Sequence, residues 1–196
     1  CATGAGIAVP FFQTLLAAKP KTKATGPTIA VLHIDGAIGD GDSGSGGILG
    51  GEGSVGSRTI RNAIEDIRGQ DHIRGVVVRI DSPGGSATAS EVIWRGLRRL
   101  AEKKPVWVSV GSMAASGGYY IACAGDRIYT EPNAILGSIG VVGGKLVLGQ
   151  LYEKVGLTVH RRSRGPAADL FNSVEPFTPE QRTLLQTAFQ RTYDLF

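Results

Sequence analysis

The sequence predicts an α/β fold with a parallel sheet. Short apolar runs typical of strands alternate along the chain with helical periodicities, and glycine pairs follow two successive strands. With 196 residues, 42% of them hydrophobic, the chain is long enough for one domain with a sizeable core. Because strand and helix alternate, we expect parallel strands joined by right-handed crossovers.

The first half of the chain supplies the clearest elements. A strand is predicted over 28–36, apolar on both faces as in a buried parallel sheet. An amphipathic helix follows over 57–68, with Ser57 as its N-cap. A second strand over 74–80 leads to a helix over about 87–103.

The second half begins with an apolar strand from Val106 that runs into Ser116 and a short helix. The remaining predictions are a strand at 127–130, a glycine-punctuated segment at 135–144, helices over 145–155 and 179–195, and a strand at 157–160. The last helix is predicted to begin with Thr178 at the N-cap and Pro179 at N1.

Residues 1–27 are predicted to be an appendage or interdomain linker, and 28–196 the serine-bearing domain. The linker assignment rests on the alternation of lysine, proline and threonine over 19–27. The chain begins with Cys1 rather than methionine and lacks the basic start of a signal peptide, so we expect a fragment of a longer protein. It has no run of about 18 apolar residues, so no membrane span is predicted within it.

Charge and composition exclude several classes of function. The net charge is +4, but the basic residues cluster near 19–23 and 160–164 without interleaved aromatic residues, so nucleic acid is not a predicted partner. Cys1 and Cys123 do not form a metal-binding pattern. The acidic residues of the loop at 39–56 lack the calcium-binding spacing of an EF-hand. No metal and no cofactor are expected.

Ser116 stands at a predicted strand-to-helix turn, where a serine can have two roles. It can cap the helix, because serine is a favoured N-cap residue. It can also be a nucleophile, with its hydroxyl exposed at the positive end of the helix dipole. Local sequence leaves both open.

Glycine pairs follow two successive strands, Gly84-Gly85 after one and Gly117-Gly118 after the next. Sites in open parallel sheets form outside the carboxyl ends of the strands. Glycine there allows backbone N–H groups to approach a substrate, as in the oxyanion hole of an acyl-transfer enzyme. The alternative is that both pairs only permit tight turns.

Three segments resemble the signature segments of the signal peptide peptidase A (protease IV) family: 81–92, 113–122 and 137–141. Their order and spacing match from about Thr28 to the end of the chain. The resemblance implies a Clp-protease/crotonase-like α/β fold, a Ser/Lys dyad and membrane-associated cleavage of leftover signal peptides. It assigns Ser116 as the nucleophile, and Gly117 with Gly84 or Gly85 as the oxyanion hole. It also assigns Ser138 as the serine that hydrogen-bonds the catalytic lysine.

The catalytic lysine of the short family members is missing. Its expected region, 160–177, contains His160 and arginines, and no lysine follows Lys154. Arginine stays protonated and cannot act as the base. The chain resembles the carboxyl-terminal half of the tandem members, so the lysine is expected from another domain or subunit. His160 is the rival base, and Lys145 and Lys154 are expected to face solvent.

The resemblance implies peptide substrates, namely signal-peptide fragments, and a partner that is either the amino-terminal half of the same protein or a neighbouring protomer. A homo-oligomer is expected, associated with the membrane and facing the periplasm or cell exterior. Two alternatives remain. One is a non-catalytic oligomerisation or peptide-binding scaffold that uses apolar residues such as Phe11–Leu16; the other is a crotonase-like acyl-CoA enzyme.

Overall fold

A computed structural model describes residues 26–44, 53–165 and 167–196. The strands are β1 (Thr28–Asp35), β2 (Ala37–Gly39), β3 (Ser54–Gly56), β4 (Ile73–Ser82), β5 (Val106–Ala115), β6 (Arg127–Tyr129) and β7 (Ile135–Gly137). The helices are α1 (Ser57–Arg68), α2 (Ala87–Ala101), α3 (Gly117–Ala122), α4 (Gly149–Lys154) and α5 (Pro179–Tyr193).

The main sheet is parallel, in the order β1-β4-β5-β6. β7 also pairs with β5, but further along it than β6 does, so the two short strands share one edge of β5. A second, two-stranded parallel sheet contains β2 and β3. The predicted α/β fold with a parallel sheet and βαβ units is confirmed.

The hydrophobic core lies between α1, α2 and one face of the main sheet. Ile34, Ile80 and Val108 are fully buried on that face, and α2 contributes Ile93 and Leu97, which are also fully buried. Successive side chains of a strand point to opposite faces of the sheet. Burial of one face therefore determines which residues of each strand point to the other face. The buried face thereby also sets the orientation of the loops that follow the strands.

The opposite sheet face is uncovered in the part of the chain that the structure describes. Ile29 and Val31 are each 56% exposed, and Trp107 is exposed on β5. The prediction that the first strand is buried on both faces is therefore wrong. Residues of α1 and α2 belong to the same buried cluster as Leu32 and Ile34 of β1, while Ile29 and Val31 point away from it.

Some predicted boundaries also differ. α1 begins at Ser57 and has Gly56 as its N-cap, so Ser57 is not the cap. α4 is shorter than predicted, and 157–160 contains no strand. α5 begins as predicted, with a capping box between Thr178 and Gln181.

Among the described residues, the segment after β7 adds nothing to the buried hydrophobic core, which lies between Leu32 and Ala124. Neither α4 nor α5 has a fully buried side chain. Among the described residues no helix has the length and apolar character needed to cross a bilayer. The predicted linker at 1–27, including Phe11–Leu16, lies outside the described residues except for its last two positions, so the predicted domain boundary stays a prediction.

Candidate active site

Ser116 follows the last residue of β5 and precedes the first residue of α3. Its backbone has φ 48° and ψ −121°, a conformation that L-residues rarely adopt. It occupies the N-cap position, yet its side chain makes no capping hydrogen bond. The hydroxyl of this half-buried residue is thus not engaged by the helix, and the capping role weighed in the sequence is absent.

Pairing between β5 and β7 holds this turn in place. Ala115 is in register with Gly137, and the Ser116 N–H donates to the Gly137 carbonyl oxygen at 2.9 Å. The Ser116 carbonyl accepts from the Tyr120 N–H at 2.9 Å. Ser138 directly follows Gly137, the residue that pairs with Ala115, and its predicted role toward the catalytic lysine stays a prediction.

Ser138 has a left-handed backbone, with φ 53°, and is exposed. Within the described residues its hydroxyl forms no hydrogen bond. The hydroxyl of this strained, exposed serine is therefore available to another group.

Gly84 packs directly against the Ser116 turn. A Cβ on Gly84 would lie 2.6 Å from the Gly117 nitrogen and 2.8 Å from the Ser116 Cβ, and its φ is +93°. Its own N–H donates to the Ser82 hydroxyl at 3.1 Å. Gly84 is therefore required for close approach, and its N–H is already used.

The backbones of Gly85 and Gly117, two of the glycines predicted to form an oxyanion hole, lie close together. A Cβ on Gly117 would lie 3.4 Å from the Gly85 nitrogen, so the two backbones meet. Gly117 is the first residue of α3, where an N–H has no intrahelical acceptor. Among the described hydrogen bonds neither N–H has a partner. Of the predicted pair, the geometry favours Gly85 over Gly84 as the donor.

Ser82 connects the glycine loop to the turn between β1 and β2. It is fully buried, donates to the Gly36 carbonyl at 2.7 Å and accepts from the Gly84 N–H. On the other side of the loop, the Ile38 N–H donates to the Gly84 carbonyl at 2.9 Å. The loop is thus held from two sides by backbone of β2 and its preceding turn.

Ser116, Gly85 and Gly117 line a cavity of about 310 Å³. Its remaining walls come from α2, Tyr120, the segment after β7 and the end of α5. The lining among the described residues includes no lysine, histidine or arginine. Ser116 therefore faces a space with room for a side chain, and Glu91 is the one charged residue among the described residues on its wall.

The candidate bases of the sequence lie elsewhere. Lys145 is half-buried; its Nζ donates to the Leu170 carbonyl at 3.1 Å and sits 4.3 Å from the centre of the Phe177 ring. The prediction that Lys145 faces solvent is wrong. Lys154 and His160 are exposed.

Comparison with known proteins identifies the family of the chain. Residues 98–196 match the family described as Peptidase family S49. The chain belongs to peptidase family S49. The predicted resemblance to the signal peptide peptidase A family is thereby confirmed, and the similarity to the carboxyl-terminal half of a tandem member is consistent with it.

Individual relatives carry protease names. The chain is 43% identical over 134 residues to the chloroplastic serine protease SPPA of Arabidopsis thaliana, covering 68% of this chain and 20% of that protein. It is 37% identical over 178 residues to Protease 4 of Salmonella typhi, covering 90% and 28%. With Protease 4 of Haemophilus influenzae the identity is 34% over 169 residues, covering 86% and 26%. The chain thus spans less than a third of each.

Two features of this S49 chain escaped the sequence analysis. Asp81 accepts from both the N–H and the hydroxyl of Ser112, and these bonds with Ser112 lower the pKa of the Asp81 carboxyl. Glu91 accepts from the Tyr120 hydroxyl on the cavity wall, and burial above all raises the pKa of Tyr120 to about 12. The position of Asp81 directly before the Ser-Pro-Gly-Gly segment was the one signal in the sequence for the first feature. The sequence contains no comparable signal for the Glu91–Tyr120 pair.

Proposed function

We propose that this S49 chain carries the nucleophile and oxyanion hole of a serine endopeptidase. The observation that carries the proposal is the Ser116 turn: a strained serine with an unengaged hydroxyl, beside the free N–H groups of Gly85 and Gly117, on the wall of a cavity. Strained serine turns of this kind are typical of acyl-transfer nucleophiles.

The chemistry follows from these positions. The Ser116 oxygen attacks the carbonyl carbon of a peptide bond, and its proton passes to a base. The Gly85 and Gly117 N–H groups donate to the resulting oxyanion, each worth about 3–4 kcal/mol in such reactions. The C–N bond then breaks as the base protonates the leaving amine. Water hydrolyses the Ser116 ester and restores the serine.

The base is a lysine supplied by another domain or subunit, giving a Ser/Lys dyad. A serine hydroxyl is a weak nucleophile without a base, and a lysine becomes one when burial lowers its pKa. The cavity wall of the described residues lacks such a group, and Lys145 is bound to Leu170. We expect the exposed Ser138 hydroxyl to accept a hydrogen bond from this lysine.

The substrates are signal-peptide fragments or other membrane-associated peptides, and the enzyme works at the membrane on its periplasmic or exterior side. The resemblance supports this, as does a cavity lined partly by apolar side chains, and the names of the relatives support a protease. The partner that supplies the lysine is the amino-terminal half of the same protein or a neighbouring protomer in a homo-oligomer.

A fluorophosphonate probe, which acylates activated serines, tests this function. We expect the natural full-length protein to be labelled on Ser116, mapped by peptide mass spectrometry, and Ser116→Ala to abolish labelling and hydrolysis of peptides. Ser163→Ala, at an exposed serine away from the cavity, is the matched control. An unlabelled Ser116 in the full-length protein, or cellular function unchanged in Ser116→Ala, would instead support the non-catalytic scaffold.

A further inference from the structure

We propose that Arg79 and Asp81 of β4 are positioning residues for the Ser116 nucleophile, because together they hold a bulge in β5. The inference rests on the proposed peptidase function and adds two residues that act through a strand rather than on the reacting atoms. It is carried by the register of the strands, by the hydrogen bonds of the two side chains, and by the place of the bulge shortly before Ser116.

The bulge lies between two stretches of regular pairing. Residues 76–80 of β4 pair in register with β5, and the next pair joins Ser82 to Ala114. Asp81 therefore faces three residues of β5, 111–113, so β5 contains two residues more here than a regular ladder requires. A bulge redirects the strand that contains it, and bulges are frequent next to active sites.

The other edge of β5 gives the bulge no strand partner in the described part of the chain. β6 pairs with residues 107–109, before the bulge, and β7 pairs with 113–115, at its end. Residues 110–112 are left between these two short strands. The conformation of the bulge is therefore set from the β4 side, where Arg79 and Asp81 lie.

Arg79 holds the backbone at the start of the bulge. Its Nη1 donates to the Val110 carbonyl at 2.9 Å and to the Ser109 hydroxyl at 2.8 Å. The residue is half-buried, and a charged donor makes a stronger hydrogen bond than a neutral one. A side chain of β4 thus binds the carbonyl at which the regular pairing of β5 with β4 ends.

Asp81 holds the backbone in the middle of the bulge. Its Oδ2 accepts from the Ser112 N–H at 3.2 Å and from the Ser112 hydroxyl at 2.9 Å. A Cβ on Gly111 would lie 2.6 Å from the same oxygen, so β5 passes directly beside the carboxylate. The bonds from Ser112, and then the charge of Arg79, lower the pKa of Asp81, which keeps this carboxylate an acceptor at neutral pH.

The bulge ends three residues before the nucleophile. From there β5 runs through two buried alanines to Ser116, whose N–H donates to the Gly137 carbonyl at 2.9 Å. A shift of one residue in the bulge would turn the following side chains to the opposite faces of the sheet. Arg79 and Asp81 thus set where the Ser116 hydroxyl lies relative to the predicted oxyanion hole.

The experiment measures kcat and KM for one peptide substrate, and the rate at which a fluorophosphonate labels Ser116, in the natural full-length protein and its variants. Arg79→Met and Asp81→Ala each remove one hold on the bulge. We expect each to lower kcat and the labelling rate between about tenfold and a hundredfold, with KM nearly unchanged, because small displacements of a catalytic group cost this much. Arg127→Met, at an exposed arginine of β6, is the matched control and should keep the wild-type kcat.

Conservative variants separate positioning from stability. Asp81→Asn keeps an oxygen that accepts from the Ser112 N–H, and Arg79→Lys keeps a charged donor for the Val110 carbonyl. Each should lose unfolding free energy in urea denaturation, yet retain a higher kcat than the alanine or methionine variant at the same position. If those two variants do not fold, Ser109→Ala, which removes one of the two acceptors of Arg79, replaces them and should lower kcat with KM nearly unchanged.

Labelling of Ser116 distinguishes the possible failures. If the wild type is labelled, and Arg79→Met and Asp81→Ala keep its kcat and labelling rate, the positioning role is overturned and the peptidase stands. The positioning role is also overturned if kcat falls in proportion to the loss of unfolding free energy, with no recovery in the conservative variants. If Ser116 is unlabelled in the wild type, both proposals are overturned.

Discussion

The Asp81 carboxylate accepts two hydrogen bonds from Ser112 on the neighbouring strand, from its N–H at 3.2 Å and from its hydroxyl at 2.9 Å. The bonds lie at a bulge: Ile80 pairs with Val110, but Ser82 pairs with Ala114. One residue of β4 thus stands opposite three of β5. Asp81 hydrogen-bonds Ser112 within this extra segment of β5, and the bulge sets the direction in which β5 leads to Ser116.

Asp81→Asn is expected to destabilise the protein at neutral pH and to lose this effect in acid. The hydrogen bonds from Ser112 favour the charged carboxylate and lower its pKa in the folded state. Stability from this carboxylate is therefore present at pH values above its unfolded pKa, and it disappears as the pH falls through the lowered folded pKa. Urea denaturation of wild type and variant at pH 7 and at about pH 3 measures the difference.

Ser112→Ala in the same experiment separates the bond from the charge. It removes one donor to Asp81 and keeps the Ser112 N–H bond, so it should reproduce part of the loss at pH 7. If Asp81→Asn destabilised the protein equally at both pH values, the carboxylate would not be the titrating group.

Gly84→Ala is expected to be much more damaging than Gly41→Ala. Both glycines have left-handed backbones, with φ +93° and +82°. A Cβ at Gly41 meets nothing within 4 Å, whereas at Gly84 it overlaps the Gly117 nitrogen and the Ser116 Cβ. Backbone strain is common to both, so the overlap should add about 2 kcal/mol to the loss of unfolding free energy at Gly84.

The same pair tests the site. Gly84→Ala should also slow fluorophosphonate labelling of Ser116, because the overlap displaces the turn, while Gly41→Ala should label at the wild-type rate. Equal stability and equal labelling of the two variants would mean that Gly84 is not packed against the nucleophile turn.

Ser82→Ala is expected to cost about 1–3 kcal/mol of unfolding free energy, the penalty of a buried polar group left without its partner. Ser82 is the hydroxyl between the Gly36 carbonyl and the Gly84 N–H, and both would lose that bond. Ser90→Ala is the matched control, at another buried serine. Its hydroxyl donates to the Ser86 carbonyl, which also accepts from the Ser90 N–H, so little is left unsatisfied. Chemical denaturation of both variants measures these losses. Equal losses of unfolding free energy would contradict the role given to Ser82.

Local pattern predicted the elements that build the core, and tertiary contacts decided the rest. The parallel strands and α2 follow from apolar periodicity that is satisfied by burial. The prediction of a helix over 145–155 largely failed, since α4 buries no side chain and short helices gain most of their stability from packing. β1 looked buried on both faces because its residues are apolar, although in the described part of the chain only one face is covered.

In the candidate site, too, local pattern predicted some features and tertiary contacts decided the others. The sequence left Ser116 two roles, helix cap or nucleophile. The backbone conformation of Ser116 separates these roles, and pairing with β7, which lies outside the local segment, imposes that conformation. Glu91 and Tyr120 are 29 residues apart, and only the packing of α2 on α3 brings them together. Glycine pairs could be recognised in the sequence, but which N–H stays free depends on the Ser82 hydroxyl.

Ser138 allows stability and catalysis to be separated. Its backbone is left-handed and its hydroxyl is exposed. Ser138→Ala removes the hydroxyl and keeps the strain, whereas Ser138→Gly removes both, so the glycine variant should be more stable by about 1 kcal/mol. If the hydroxyl orients the base, both variants should lower kcat about tenfold with little change in KM, since general-base catalysis depends on this geometry. The measurements are kcat, KM and urea denaturation for the three proteins. Activity that followed stability, with the glycine variant as active as the wild type, would remove Ser138 from the catalytic machinery.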